Sequence, residues 1–99
     1  MAKNYYSSYI EHCMRFYARY PVPTTFRSDV DEKNWRACET VLKEFSAKER
    51  EYLLIVYREG DTLVDNVYKL SEFENIKQDK LWELIKTFER KIAKCRGLI

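Results

Sequence analysis

Few side chains in this 99-residue sequence are of a type that does covalent chemistry, and their spacing works against it. The single histidine, His12, stands beside Cys13. Neighbouring residues on a helix point about 100° apart, so the two do not form a nucleophile–base pair. Cys13, Cys38 and Cys95 are odd in number, far apart and without a CxxC. Zinc ligands come in closely spaced pairs, so the three cysteines read as small apolar residues of a reduced core. Asp61 and Asp65 flank a helix start, where a carboxylate caps free N–H groups, and suit that role better than metal binding. Two glycines are too few for a clustered loop that cradles phosphate. No catalytic set, cofactor or metal is expected, and the sequence points away from an enzyme.

What remains is chemistry of charge. The formal net charge is only +2, too mild to name a partner by itself. Its distribution says more. Residues 46–85 hold six Lys/Arg against nine Asp/Glu, whereas residues 86–99 hold Lys86, Arg90, Lys91, Lys94 and Arg96 against Glu89 alone. The cationic end is the C-terminal one. No apolar run approaches the roughly 20 residues of a membrane span, and residues 1–15 do not form the apolar core of a signal peptide. A cytoplasmic protein with no membrane partner is expected.

The elements that must position these charges are helical. Only two prolines and two glycines are present, and turn-rich β folds consume both. The spacing predicts a single-domain, all-α fold of five helices over residues 4–20, 32–45, 47–59, 63–73 and 77–95. In the first, Tyr6, Ile10, Cys13, Met14 and Tyr17 make one apolar face, which Tyr5, Tyr9, Phe16 and Tyr20 widen to about half the circumference, beyond the ~100° stripe of an ordinary surface helix. Such a face is either wedged between two neighbours or meets another chain. Tyr5, Tyr9, Phe16 and Tyr20 are the candidate interface residues, and a homodimer is the commonest such assembly. Residues 21–25, with Pro21 and Pro23, end the first helix and lead into a connector in which Val22 and Phe26 pin the chain to the core.

Asp29 or Asp31 is expected to cap the second helix, whose stripe is Trp35, Cys38, Leu42 and Phe45, with Val41 beside it. Ser46 and Glu49 form a capping box that opens the third, and Gly60 is expected to close it in left-handed conformation. Thr62 and Asp65 form a weaker box for the fourth, in which Leu63, Val67, Tyr68 and Leu70 are apolar. A tight turn at Glu74 and Asn75 leads to the fifth, where Leu81, Ile85, Phe88 and Ile92 form the buried stripe, Trp82 and Leu84 flank it, and Gly97 stops the helix.

A short helix, a tight turn and a longer amphipathic helix make the outline of a helix-turn-helix. Residues 45–53, Phe-Ser-Ala-Lys-Glu-Arg-Glu-Tyr-Leu, resemble the start of region four of bacterial sigma factors, the promoter-reading domain. Residues 57–63, Tyr-Arg-Glu-Gly-Asp-Thr-Leu, are similar to its aromatic-x-Glu-Gly turn, and residues 92–98, Ile-Ala-Lys-Cys-Arg-Gly-Leu, to its basic closing turn. The resemblance covers about half the chain, residues 45–98. The whole chain looks most like small helix-turn-helix proteins of phages and mobile elements. Two stretches depart from the family: Asn66-Val67-Tyr68 stands where it has an Ile-Ala pair, and residues 71–76 are more acidic than its Leu-Gly-Ile/Val-Ser turn.

The resemblance implies that the fifth helix reads duplex DNA. Gln78, Lys80 and Glu83 would then face base edges, Gln toward adenine, Lys toward guanine and Glu toward cytosine. Lys86, Arg90, Lys91 and Lys94 would meet phosphates, with Thr87 on the same outer side. It also brings in RNA polymerase or another host protein as a partner. The competing expectation is a protein-interaction module, an adaptor or inhibitor of a host protein, which the acidic middle and the aromatic first helix suit.

Overall fold

The computed structural model describes residues 6–20 and 25–99. Five helices make up the fold: α1 (Ser7–Arg19), α2 (Asp29–Leu42), α3 (Ala47–Arg58), α4 (Leu63–Glu74) and α5 (Gln78–Cys95). No strand occurs among the described residues. The all-helical expectation holds; α1, α3, α4 and α5 all stop within a residue of the spacing-based bounds, α3 to α5 also start within a residue of them, and α1 starts three residues late, at Ser7.

The second helix is the exception. It begins at Asp29, three residues early, because Ser28 rather than Asp29 or Asp31 is the cap: the Asp31 N–H donates to Ser28 Oγ at 3.2 Å. Asp29, Asp31 and Glu32 instead fill its first turn, where a carboxylate meets the positive end of the helix dipole. The helix ends at Leu42, and Phe45 is reached by two tight turns, with Glu44 N–H on Val41 O and Phe45 N–H on Leu42 O. The capping box of α3 forms as expected, with Glu49 N–H on Ser46 Oγ at 3.2 Å and Ser46 N–H on Glu49 Oε1 at 3.0 Å. In α4 the Asp65 N–H donates to Thr62 Oγ1 at 3.2 Å, the forward half of a box. Asp65 is a methylene shorter than the Glu of a full box.

Helices α3, α4 and α5 pack mutually, and α1 lies across α2, α3 and α5 while α2 runs along α5. The core is continuous through all five. Its largest fully buried side chains are Trp35, Tyr57 and Phe88, with Ile10 and Met14 from α1. Phe88 touches both Phe45 and Tyr57 at ring-centroid distances of 6.1 and 6.0 Å, and Trp35 touches Tyr17 and Phe26 at 5.1 and 5.8 Å. Burying each such aromatic is worth about 2–3 kcal/mol. Phe26 thus pins the connector as expected, while Tyr5, Val22 and the two prolines lie outside the described residues.

Among the helix ends, Gly60 differs from expectation. Only Asn75 (φ 55°) and Gly97 (φ 73°) are left-handed among the described residues. α3 ends through Glu59 in extended conformation, and its last carbonyls find side-chain partners instead of a left-handed turn. Arg15 of α1 donates to Tyr57 O (3.3 Å), Glu59 O (2.7 Å) and Asp61 O (2.8 Å). Asn66 of α4 donates to Val56 O (2.8 Å), Glu59 O (3.3 Å) and Asp61 O (3.3 Å). The Arg15 guanidinium also sits where the negative end of the α3 dipole favours a cation, steadied by Glu11 one turn earlier at 3.2 Å.

Candidate functional site

The path from α4 to α5 is a three-residue turn, Asn75 to Lys77. Asn75 tolerates left-handed geometry better than most residues because its short amide bonds locally. The Ile76 N–H returns to Ser71 O at 3.0 Å, and the Ser71 hydroxyl donates to Ile76 O at 2.5 Å. Ile76 itself packs against the core. The turn is therefore fixed from both sides, and it sets the direction in which α5 leaves.

α5 has 18 residues, so it is about 27 Å long. Leu81, Ile85, Phe88 and Ile92 are buried as expected, joined by Ala93 and by Glu89. Ser7 of α1 donates to Glu89 Oε1 at 3.3 Å. Gln78, Asp79, Lys80, Glu83, Lys86, Thr87, Arg90 and Lys94 are all exposed. Lys86, Arg90 and Lys94 are four residues apart, which sets them in one row with steps of about 6 Å and a total of about 12 Å. None of these three has a carboxylate within ion-pair distance among the described residues.

The other two C-terminal cations are engaged. Lys91 is half-buried and donates to Glu44 Oε1 at 2.9 Å, and Arg96 donates to Asn34 Oδ1 at 2.8 Å. Both fasten α5 to the α2 side. Of the expected site, the structure brings Lys80, Glu83, Lys86, Thr87, Arg90 and Lys94 onto the solvent side of one helix, adds Gln78 at its first turn, and sets Lys91 against α2.

The aromatic residues of α1 are used largely within the chain. The Tyr9 hydroxyl and the Asn34 amide bond to each other at 2.8 Å, which links α1 to α2 and, through Asn34, to Arg96. Phe16 is half-buried and lies 5.4 Å from the Tyr20 ring, and the Trp35 indole N–H donates to Tyr20 O at 2.8 Å. Tyr9 and Tyr20 keep 41% and 53% of their surface, so the wide face is wedged against α2, α3 and α5 with two aromatic edges left outside. Tyr68, one of the apolar residues of α4, is 54% exposed, and Asn66 takes the inward position facing the end of α3.

Cys13 and Cys38 are buried and Cys95 is exposed. Burial pushes the Cys13 thiol up to about 11, and it raises Cys38 further, with Cys13 and Cys95 as electrostatic neighbours. Three cysteines far apart in sequence thus gather where α1, α2 and α5 meet. They are protonated at neutral pH wherever buried, which removes nucleophilic character. Tyr57 is fully buried, and burial, aided by Glu89 and Glu11, holds its hydroxyl well above its ordinary value. That hydroxyl and Asn66 Oδ1 are buried without a hydrogen-bond partner among the described residues. No group of three His, Cys, Asp or Glu side chains that could hold a metal comes together among the described residues, and no described helix is long and apolar enough to cross a membrane.

Arg15 and Asn66 are the residues that sequence reasoning missed. No local signal marks them, since their acceptors lie 42–46 and 5–10 residues away. Comparison with known proteins yields no matching family model, curated protein or solved structure.

Proposed function

We propose that this chain is a non-enzymatic, DNA-binding, transcription-associated protein of helix-turn-helix type, with α5 as the helix that enters the major groove. The observation that carries the reading is the row Lys86, Arg90 and Lys94. These cations stand exposed on the outer side of α5, with no carboxylate within ion-pair distance among the described residues.

The residues of the turn depart from the family's, and it is the backbone course of the turn that suits the same reading. Region four of sigma factors carries Leu-Gly-Ile/Val-Ser there. Asn75, Ile76 and Lys77 supply a left-handed residue, an apolar residue that packs inward, and the residue before the next helix. In this reading Gln78, Lys80 and Glu83 face base edges from the first half of α5, and Thr87 lies between them and the phosphate-facing row. Lys91 contributes less, because Glu44 holds it. RNA polymerase or another host protein is the partner expected of a transcription-associated protein, and a phage or mobile-element origin goes with the resemblance.

The test is fluorescence anisotropy on a mixed-sequence duplex. The wild-type chain is expected to bind at micromolar concentration at about 50 mM salt, and K86E/R90E/K94E to bind at least tenfold more weakly. These residues are exposed, so circular dichroism of the variant should be unchanged. Equal binding by the two proteins would remove α5 from the interface. No binding by wild type would leave the protein-interaction module as the better account.

A further inference from the structure

Phe73, near the end of α4, is 86% exposed, more than any other large apolar residue among those described. It borders a groove of about 510 Å³ between α3 and α4, floored by Leu70 and Ile55 and shared with Glu51, Glu59 and Glu74. Asp61 and Lys69 close one end and neutralise each other in an ion pair. The other three carboxylates have no cation within ion-pair distance among the described residues, and Arg58 is the one further cation lining the groove. Nothing in the packing of α3 on α4 requires an aromatic ring here. A Phe in water leaves apolar surface unburied, which a partner can cover.

The surroundings state what kind of partner. An excess of unneutralised carboxylates repels nucleic acid and anionic lipid. It attracts Lys and Arg, and an aromatic face adds a cation–π contact for either. A groove between two helices with an apolar floor suits the apolar stripe of a third helix. We infer that the α3–α4 groove is a docking site for a basic amphipathic segment of a partner protein. Its apolar stripe packs on Phe73, Leu70 and Ile55, and its cations meet Glu51, Glu59 and Glu74. The site is distinct from the α5 row and does not depend on DNA binding.

Selection of displayed random peptides on the immobilised full chain tests this. The expected winners carry Lys or Arg interleaved with apolar residues at helical spacing, and a synthetic winner should bind at least tenfold more weakly to Phe73→Ser and to E51K/E74K. Phe73 and Glu51 are exposed and Glu74 half-buried at a helix end, so both variants should retain wild-type circular dichroism, and Phe73→Ser wild-type duplex binding. Acidic winners, no enrichment, or winners indifferent to both variants would overturn the inference. So would a concentration-dependent dimer abolished by Phe73→Ser, since the occupant would then be a second copy.

Discussion

Arg15 and Asn66 share two acceptors, and that sharing has a measurable signature. Arg15 gives short bonds to Glu59 O and Asp61 O (2.7 and 2.8 Å) and a longer one to Tyr57 O (3.3 Å). Hydrogen bonds from a charged donor contribute about 1.5–3 kcal/mol each when the acceptor has no substitute. Here Asn66 Nδ2 stands 3.3 Å from the same Glu59 and Asp61 oxygens, so it covers part of the loss. Arg15→Met keeps the aliphatic stem and should cost about 2 kcal/mol, a fall in Tm of about 8–16 °C for a domain this size.

Asn66→Ala strands the carbonyl of Val56, a residue only 1% exposed, but it also deletes the unpaired Oδ1. Its expected cost is about 1–2 kcal/mol. In the double variant neither donor backs up the other. The double should therefore exceed the sum of the singles by about 1 kcal/mol. Urea denaturation followed by far-UV circular dichroism on all four proteins reads this directly. Additivity within about 0.3 kcal/mol, or an Arg15→Met cost below about 0.5 kcal/mol, would refute the shared-acceptor account.

Other outcomes follow from buried groups. Tyr57→Phe removes a buried hydroxyl with no partner and should raise stability by about 1 kcal/mol; a loss would show that the hydroxyl is bonded in solution. A thiol reagent at neutral pH should label Cys95 alone in the native protein and all three cysteines in denaturant, and rapid native labelling of Cys13 or Cys38 would contradict their burial. Stability should be level up to about pH 9 and fall above it. Cys13, Cys38 and Tyr57 all titrate higher in the fold than in the open chain. The fold then holds more protons than the unfolded chain, and stability drops by about 1.4 kcal/mol per pH unit for each group between its two values, for Cys13 between about 9 and 11. A flat alkaline profile would contradict these assignments.

Local devices were legible in the sequence and long-range ones were not. The Ser46–Glu49 box, the stripe of α5 and the Gly97 stop each lie within a few residues of chain, so spacing reveals them. Gly60 misled because its usual role is to satisfy carbonyls in a left-handed turn. In this fold Arg15 and Asn66 satisfy them, and nothing local to residue 60 announces a donor from α1. The burial of Glu89 beside Ser7, 82 residues away, is likewise a long-range contact that no local spacing reveals.

The same holds for the candidate site. The sequence located a basic C-terminal helix and its outer side. It did not show that Lys91 and Arg96 are taken by Glu44 and Asn34 of the α2 side, leaving Lys86, Arg90 and Lys94 without an ion pair among the described residues. The groove beside Phe73 was invisible for a related reason. An exposed aromatic and a buried one look alike in a helical pattern until the neighbouring helix is placed.

In the proposed complex three cations of α5 meet DNA phosphates. Its most direct test is the salt dependence of duplex binding for the wild-type chain and K86E/R90E/K94E. Three phosphate contacts predict that log K falls against log salt concentration with a slope of about −2.7, and the variant should lose nearly all of that slope. A wild-type slope near zero, or an equal slope in the variant, would contradict the claim.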